Sequence, residues 1–198
     1  MMRFLFLSLL FTGISISCKQ ENDQSVSGTP RLPVVEGEWW RICEMPDLDS
    51  LAGPDPERQH IVDHGFIQAE NGEWQLWACI RGTAAGRLLY RWQGQSLEKG
   101  PWKPAGIAAR ADPAFGEKAE PEESIQAPFF MKLQDGYYCF YNSNGARVMI
   151  SQDGMNYERV DLQHGNNIMY KESGRDVMLL KEEEWFYSYS TVSTVAAD

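Results

Sequence analysis

Three stretches of this chain repeat one pattern: an apolar run, a tight polar turn, then a run rich in aromatic residues. They span residues 63–77, 127–141 and 174–188, and turn at Asn71-Gly72, Asp135-Gly136 and Glu182-Glu183. Trp74, Tyr138 and Trp185 anchor the aromatic runs. Asn-Gly or Asp-Gly between two such runs signals a β-hairpin, with both turn residues expected at positive φ. The third turn lacks glycine, which leaves its geometry open. Self-similarity at this spacing means supersecondary units that bury their faces against one another. The first two units continue alike. Leu88-Leu-Tyr-Arg-Trp92 reads as a third strand with Trp102 in a fourth, and Arg147-Val-Met-Ile150 runs into Ser151-Gln-Asp-Gly-Met-Asn-Tyr157. Antiparallel units of three or four strands, each opening with an inner strand, describe the blades of a β-propeller. No segment keeps a period of 3.6, so helix is a minor component.

Composition fits an all-β chain. The 198 residues include 7 Trp, 8 Tyr, 9 Phe, 17 Gly and 10 Pro, and 43% are apolar. That suits short strands and many turns, and excludes a coiled coil, a disordered tail and a polytopic membrane protein. Lys plus Arg number 18 against 28 Asp plus Glu, a formal charge of −10. Such a chain repels phosphate backbones and anionic lipid, so nucleic acid and polybasic membrane docking are poor candidates.

The first residues read as an address. Arg3 precedes an apolar run that ends at Ser17-Cys18, the layout of a secretory signal, and the run is too short to span a bilayer comfortably. Cys18 after a small residue resembles a bacterial lipoprotein signal, which implies lipidation of Cys18 and a membrane link through that anchor only. Ser15 stands where that pattern usually has Leu, so simple secretion stays an alternative. Either way the expected location is the cell envelope or outside the cell. The expected organisation is a signal at 1–17, a polar tether at 18–32 and a partial propeller at 33–198. Cys43, Cys79 and Cys139 lack metal-site spacing and read as small apolar fillers. The spacer at 108–123 reads as an inserted loop. Two blades and the start of a third fall short of the four to eight that close a ring, so the expectation is a piece of a longer protein or a ring completed by partners. Oligomeric state is not legible.

With the hairpins, Gln126-Ala-Pro128, Arg175-Asp176 and the Ser151-x-Asp153-Gly154-x-x-Tyr157 turn in view, the chain resembles the five-bladed propeller glycoside hydrolases of families 43, 32 and 117. The resemblance covers about residues 60–190. It implies a carbohydrate ligand at the axis and no organic cofactor; some members of that group hold a cation there. Glycosidic cleavage needs two carboxyl groups, one protonating the leaving oxygen and one activating water or attacking. The resemblance implies Asp63 as base or nucleophile, with strand capping as the alternative. It implies Asp176 as electrostatic helper beside Arg175, with a buried blade-holding ion pair as the alternative. His64, Gln126 and Arg81 are candidates for binding hydroxyls, and Trp77 for stacking on a sugar, although strand aromatics more often pack blades. Phe129 stands where family 43 commonly has Asp. Glu122, Glu123 and Glu172 are expected to face solvent, so none serves as the acid. The readings that stay open are a glycosidase, a sugar-binding propeller without turnover, and a structural module of a surface complex.

Overall fold

The computed structural model describes residues 34–100, 102–162, 166–169 and 174–192. The signal, Cys18 and the whole tether lie outside the described residues, as does Glu172. Strands β1 (His60–Gln68), β2 (Trp74–Thr83), β3 (Gly86–Gly94) and β4 (Lys103–Ala109) form an antiparallel meander in that spatial order. A short β5 (Glu123–Ser124) pairs in parallel with β3. The second meander is β6 (Gln126–Leu133), β7 (Gly136–Asn142), β8 (Ala146–Ser151) and β9 (Glu158–Arg159). A third sheet holds the hairpin β10 (Gly174–Glu182) and β11 (Trp185–Val192). The fold is all-β, with two four-stranded propeller blades and the opening hairpin of a third. Trp102 falls just before the fourth strand rather than inside it.

Successive sheets bury their faces against each other. Ile67, Trp77, Cys79 and Leu89 of the first meet Phe130, Tyr137, Cys139, Tyr141 and Met149 of the second. Val177 of β10 and Phe140, Ala146 and Val148 of the second blade form the next interface. Each fully buried large apolar side chain stabilises by roughly 1.5–3 kcal/mol relative to exposure. The other face of the first blade is covered by the segment before β1. Leu48 is buried with Leu76, Ile80, Leu88, Trp92 and Trp102, and Ile42 and Leu51 pack beside it. Trp92 Nε1 donates to the Glu44 carbonyl at 3.2 Å. The third hairpin has no such cover among the described residues: Trp185 is 70% exposed, and Met178, Leu180, Phe186 and Tyr189 are also open.

Two contacts lock the first two blades. Gly65 lies so close to β6 that a Cβ there would stand 2.5 Å from the Pro128 carbonyl oxygen. At the other end, the Ser151-x-Asp153-Gly154 turn docks on the first blade. Asp153 accepts from Ser151 Oγ at 2.8 Å and from the Met155 and Asn156 amides at 2.7 and 2.9 Å. Gln75 Nε2 then donates to the Gly154 carbonyl (2.9 Å), and Arg91 to that of Met155 (3.0 Å).

Two expectations are corrected. The glycine-bearing turns are not mirror-image turns with paired positive φ. At Asn71-Gly72 only Gly72 is left-handed (φ 83°), while the Asn71 side chain accepts from the Glu73 amide at 2.9 Å. Nor is the 108–123 spacer a free loop with Glu123 in solvent. Glu123 is buried, pairs with Arg110 at 2.6 Å and accepts from the Ala111 amide at 2.6 Å. Glu117, also buried, takes both Arg159 Nε and an Arg159 terminal nitrogen at 2.7 Å, and accepts from the Tyr141 hydroxyl. Burying these charges is tolerable only because they are paired and hydrogen-bonded.

Candidate functional site

The first strand of every sheet carries the same irregularity. In β1 the register runs Val62↔Cys79, then His64↔Ala78, leaving Asp63 as an extra residue. In β6 it steps from Gln126↔Asn142 to Phe129↔Phe140, and in β10 from Arg175↔Thr191 to Met178↔Tyr189. Each is a one-residue β-bulge, a device that re-aims side chains at strand ends. One residue at each is left-handed: Asp63 (φ 44°), Ala127 (φ 54°) and Asp176 (φ 57°). Asp tolerates this backbone because its short polar side chain can bond locally; Ala has no such compensation. Asp63, Ala127 and Asp176 are therefore structurally equivalent. The position without a carboxylate is thus Ala127, not Phe129, whose ring packs 6.5 Å from that of Phe140.

The registers bring these bulges to one end of the sheets, with the β2–β3 turn and the end of β7. Polar side chains tie that end together. Arg87 of β3 donates to the Gln126 Oε1. The Asn142 amide is satisfied when its oxygen accepts from Gln126 Nε2 (3.2 Å) and its nitrogen faces the Gly174 carbonyl (3.3 Å). One hydrogen-bonded chain thus links all three sheets beside the bulges. Gln126, buried and committed to this chain, acts as a strut rather than as a free donor at a pocket rim.

The other sequence candidates fall as follows. Asp63 and His64 are exposed, and the His64 ring meets Phe66 edge-on at 5.6 Å. The Cys79 thiol is pushed up to about 12, chiefly by burial and next by the charge of Asp63. Asp176 Oδ2 lies 3.1 Å from Arg175 Nε, with both side chains largely open to solvent, so this is not a buried blade-holding pair; such pairs contribute about 0–1 kcal/mol. Trp77 is 2% exposed and meets Phe130 and Tyr157 edge to face at 5.4 and 5.1 Å, which makes it an inter-blade packing residue and corrects the stacking role. β6 packs on both β1 and β10, so it stands between the strand carrying Asp63 and the strand carrying Asp176. Nor, among those residues, do three His, Cys, Asp or Glu side chains converge as metal ligands.

Arg81 opens into a cleft of about 600 Å³ that sequence reasoning missed as a unit. Arg58, His60, Arg87, Asp55 and Glu122 also line it. The only hint in the sequence is the density of arginine around residues 58–87 of an acidic chain.

No family model and no curated protein matches this chain. It is similar to two solved glycoside hydrolase structures. One is a thermostable family-43 glycoside hydrolase, with 17% identity, TM-score 0.46, 70% of this chain and 43% of that one covered. The other is a family 117 glycoside hydrolase from the marine bacterium Zobellia galactanivorans, with 13% identity, TM-score 0.49, 72% of this chain and 52% of that one covered. The chain spans about half the length of these structures.

Proposed function

We propose that this chain handles carbohydrate at the bulged end of its first strands, acting as a glycoside hydrolase-like propeller. The observation that carries this reading is the repeated bulge with Asp at two of three equivalent positions. A bulge repeated across blades holds exposed carboxylates in fixed backbone geometry, which is what acid–base work on a glycosidic bond requires. Asp63 acts as base or nucleophile. Asp176, beside Arg175, contributes charge where the oxocarbenium-like transition state develops. The test is turnover of aryl glycosides and oligosaccharides by wild type and the Asp63→Asn variant. Loss of about 10²–10⁴ in kcat at unchanged Tm is expected for a general base; unchanged turnover rejects the role.

A second reading, sugar binding without turnover, is favoured by Ala127 at the bulge of β6 and by Glu123 being tied up with Arg110. Binding without hydrolysis selects it. We also propose export with a lipid on Cys18, supported by the apolar run before Ser17-Cys18. Metabolic labelling with a fatty acid, lost in Cys18→Ser, is the check.

A further inference from the structure

The cleft at the start of β1 stands out electrostatically. The chain as a whole carries −10, yet three guanidinium groups, Arg58, Arg81 and Arg87, share this cleft with His60 and are opposed only by Asp55 and Glu122. Arg87 is engaged with Gln126. Arg58 and Arg81 are exposed and, among the described residues, take part in no ion pair or side-chain hydrogen bond. Asp55 Oδ1 accepts from the Glu57 amide at 3.1 Å, which leaves it turned toward its own backbone.

The walls are built tightly. Gly82 is left-handed (φ 72°), and a Cβ there would stand 2.2 Å from the Arg58 carbonyl oxygen. At Gly86 (φ 114°) a Cβ would stand 2.4 Å from the Glu123 carbonyl oxygen. The β2–β3 turn is therefore clamped on one side to the segment carrying Arg58 and on the other to the strand leading into Gln126. A fixed turn between Arg81 and Arg87 holds their backbone in place, so binding orders the side chains but not the turn that carries them. Arginine's planar fork matches carboxylate and sulfate oxygens in paired hydrogen bonds. The cleft is within the size range of pockets that hold small organic ligands, about 300–1,000 Å³. The repulsion of a distant −10 is screened beyond a Debye length of about 8 Å at physiological salt, so the local guanidinium groups decide.

We propose that this cleft binds the carboxylate or sulfate group of an acidic sugar, so that the glycan handled at the neighbouring bulges is an anionic one. This rests on the carbohydrate reading above and names the substrate class of that site.

The test is calorimetric binding to the full chain at low salt. The ligands are short galacturonate oligosaccharides, sulfated galactose oligosaccharides, their uncharged counterparts and inorganic sulfate. At least one acidic series is expected to bind about tenfold or more tightly than its neutral counterpart. That preference should shrink as salt rises and vanish in Arg58→Gln/Arg81→Gln. The single reversal Arg58→Glu, at an exposed position, gives the same readout should the double variant fold poorly. Whichever acidic series binds separates carboxylate from sulfate. Neutral sugars binding as well as acidic ones overturn this inference and leave the carbohydrate reading standing. A preference that survives both arginine variants overturns it too, as does inorganic sulfate matching the oligosaccharides. Failure of every sugar to bind removes both readings.

Discussion

Ala127 is the residue at which local backbone preference and position conflict most openly. Left-handed backbone costs an ordinary L-residue about 1–2 kcal/mol, whereas glycine adopts it freely at an entropic cost of roughly 0.5–1 kcal/mol. Ala127→Gly is therefore expected to stabilise by about 0.5 kcal/mol, raising Tm by roughly 1–2 °C for a chain of this length. A drop in Tm on calorimetry would show that the φ of 54° carries no strain. Gly65 has the opposite sensitivity. A Cβ only 2.5 Å from the Pro128 carbonyl oxygen meets backbone that cannot step aside. Gly65→Ala should cost about 1–3 kcal/mol by forcing β1 and β6 apart, read as a lower urea midpoint. Sequence gave no warning of either. The Gly65 approach depends on strands more than sixty residues apart in the chain, and the Ala127 conformation on a one-residue bulge that residue spacing alone does not reveal.

Among elements, the hairpins were the legible part. Period-2 alternation and polar turns are local, so β1–β2, β6–β7 and β10–β11 could be read from neighbouring residues alone. The Ser151-x-Asp153-Gly154 turn was legible as a motif but not as a clamp between blades. Its Asp153 carboxyl is held well below the usual carboxylate range, first by the Asn156 and Met155 amides and then by Ser151. A carboxyl depressed in the folded state contributes stability above its unfolded pKa of about 3.9, and that contribution is lost as pH falls toward the folded value. Stability should thus decline below about pH 4. Asp153→Asn should flatten that decline between pH 4 and 2, while costing about 1–2 kcal/mol at neutral pH because the turn remains partly open to solvent. Urea titrations of both proteins at pH 7 and pH 3 check the difference; parallel pH profiles would remove Asp153 as the cause.

For the described molecule as a whole, the polar interior of the second blade has no precursor in the sequence pattern. Glu117, Arg159, Tyr141, Asn167 and Arg147 come from five separate segments. Arg147 is 1% exposed and donates to the Phe115 and Gly116 carbonyls at 2.7 Å. Asn167 Nδ2 donates to the Tyr141 hydroxyl at 2.6 Å. A charge-bearing spacer between blades reads as solvated by composition, and only its return path onto β7, β8 and β9 reveals it as a plug. Arg159→Ala leaves the Glu117 carboxylate buried without its cation, for which the expected loss is about 3–5 kcal/mol. Arg159→Ala combined with Glu117→Gln should recover part of that loss, measured by chemical denaturation; no recovery would place the damage in packing rather than in charge.

The bulges also have a consequence for how this chain can change over time. An inserted residue shifts the alternation of a strand by one place. In β1 the stretch after Asp63 feeds Ile67 into the interior, while the stretch before it carries the exposed His60. That strand is thereby split into a half that answers to packing and a half that answers to solvent. Substitutions ahead of the kink can retune which molecule is received without renegotiating the interior behind it.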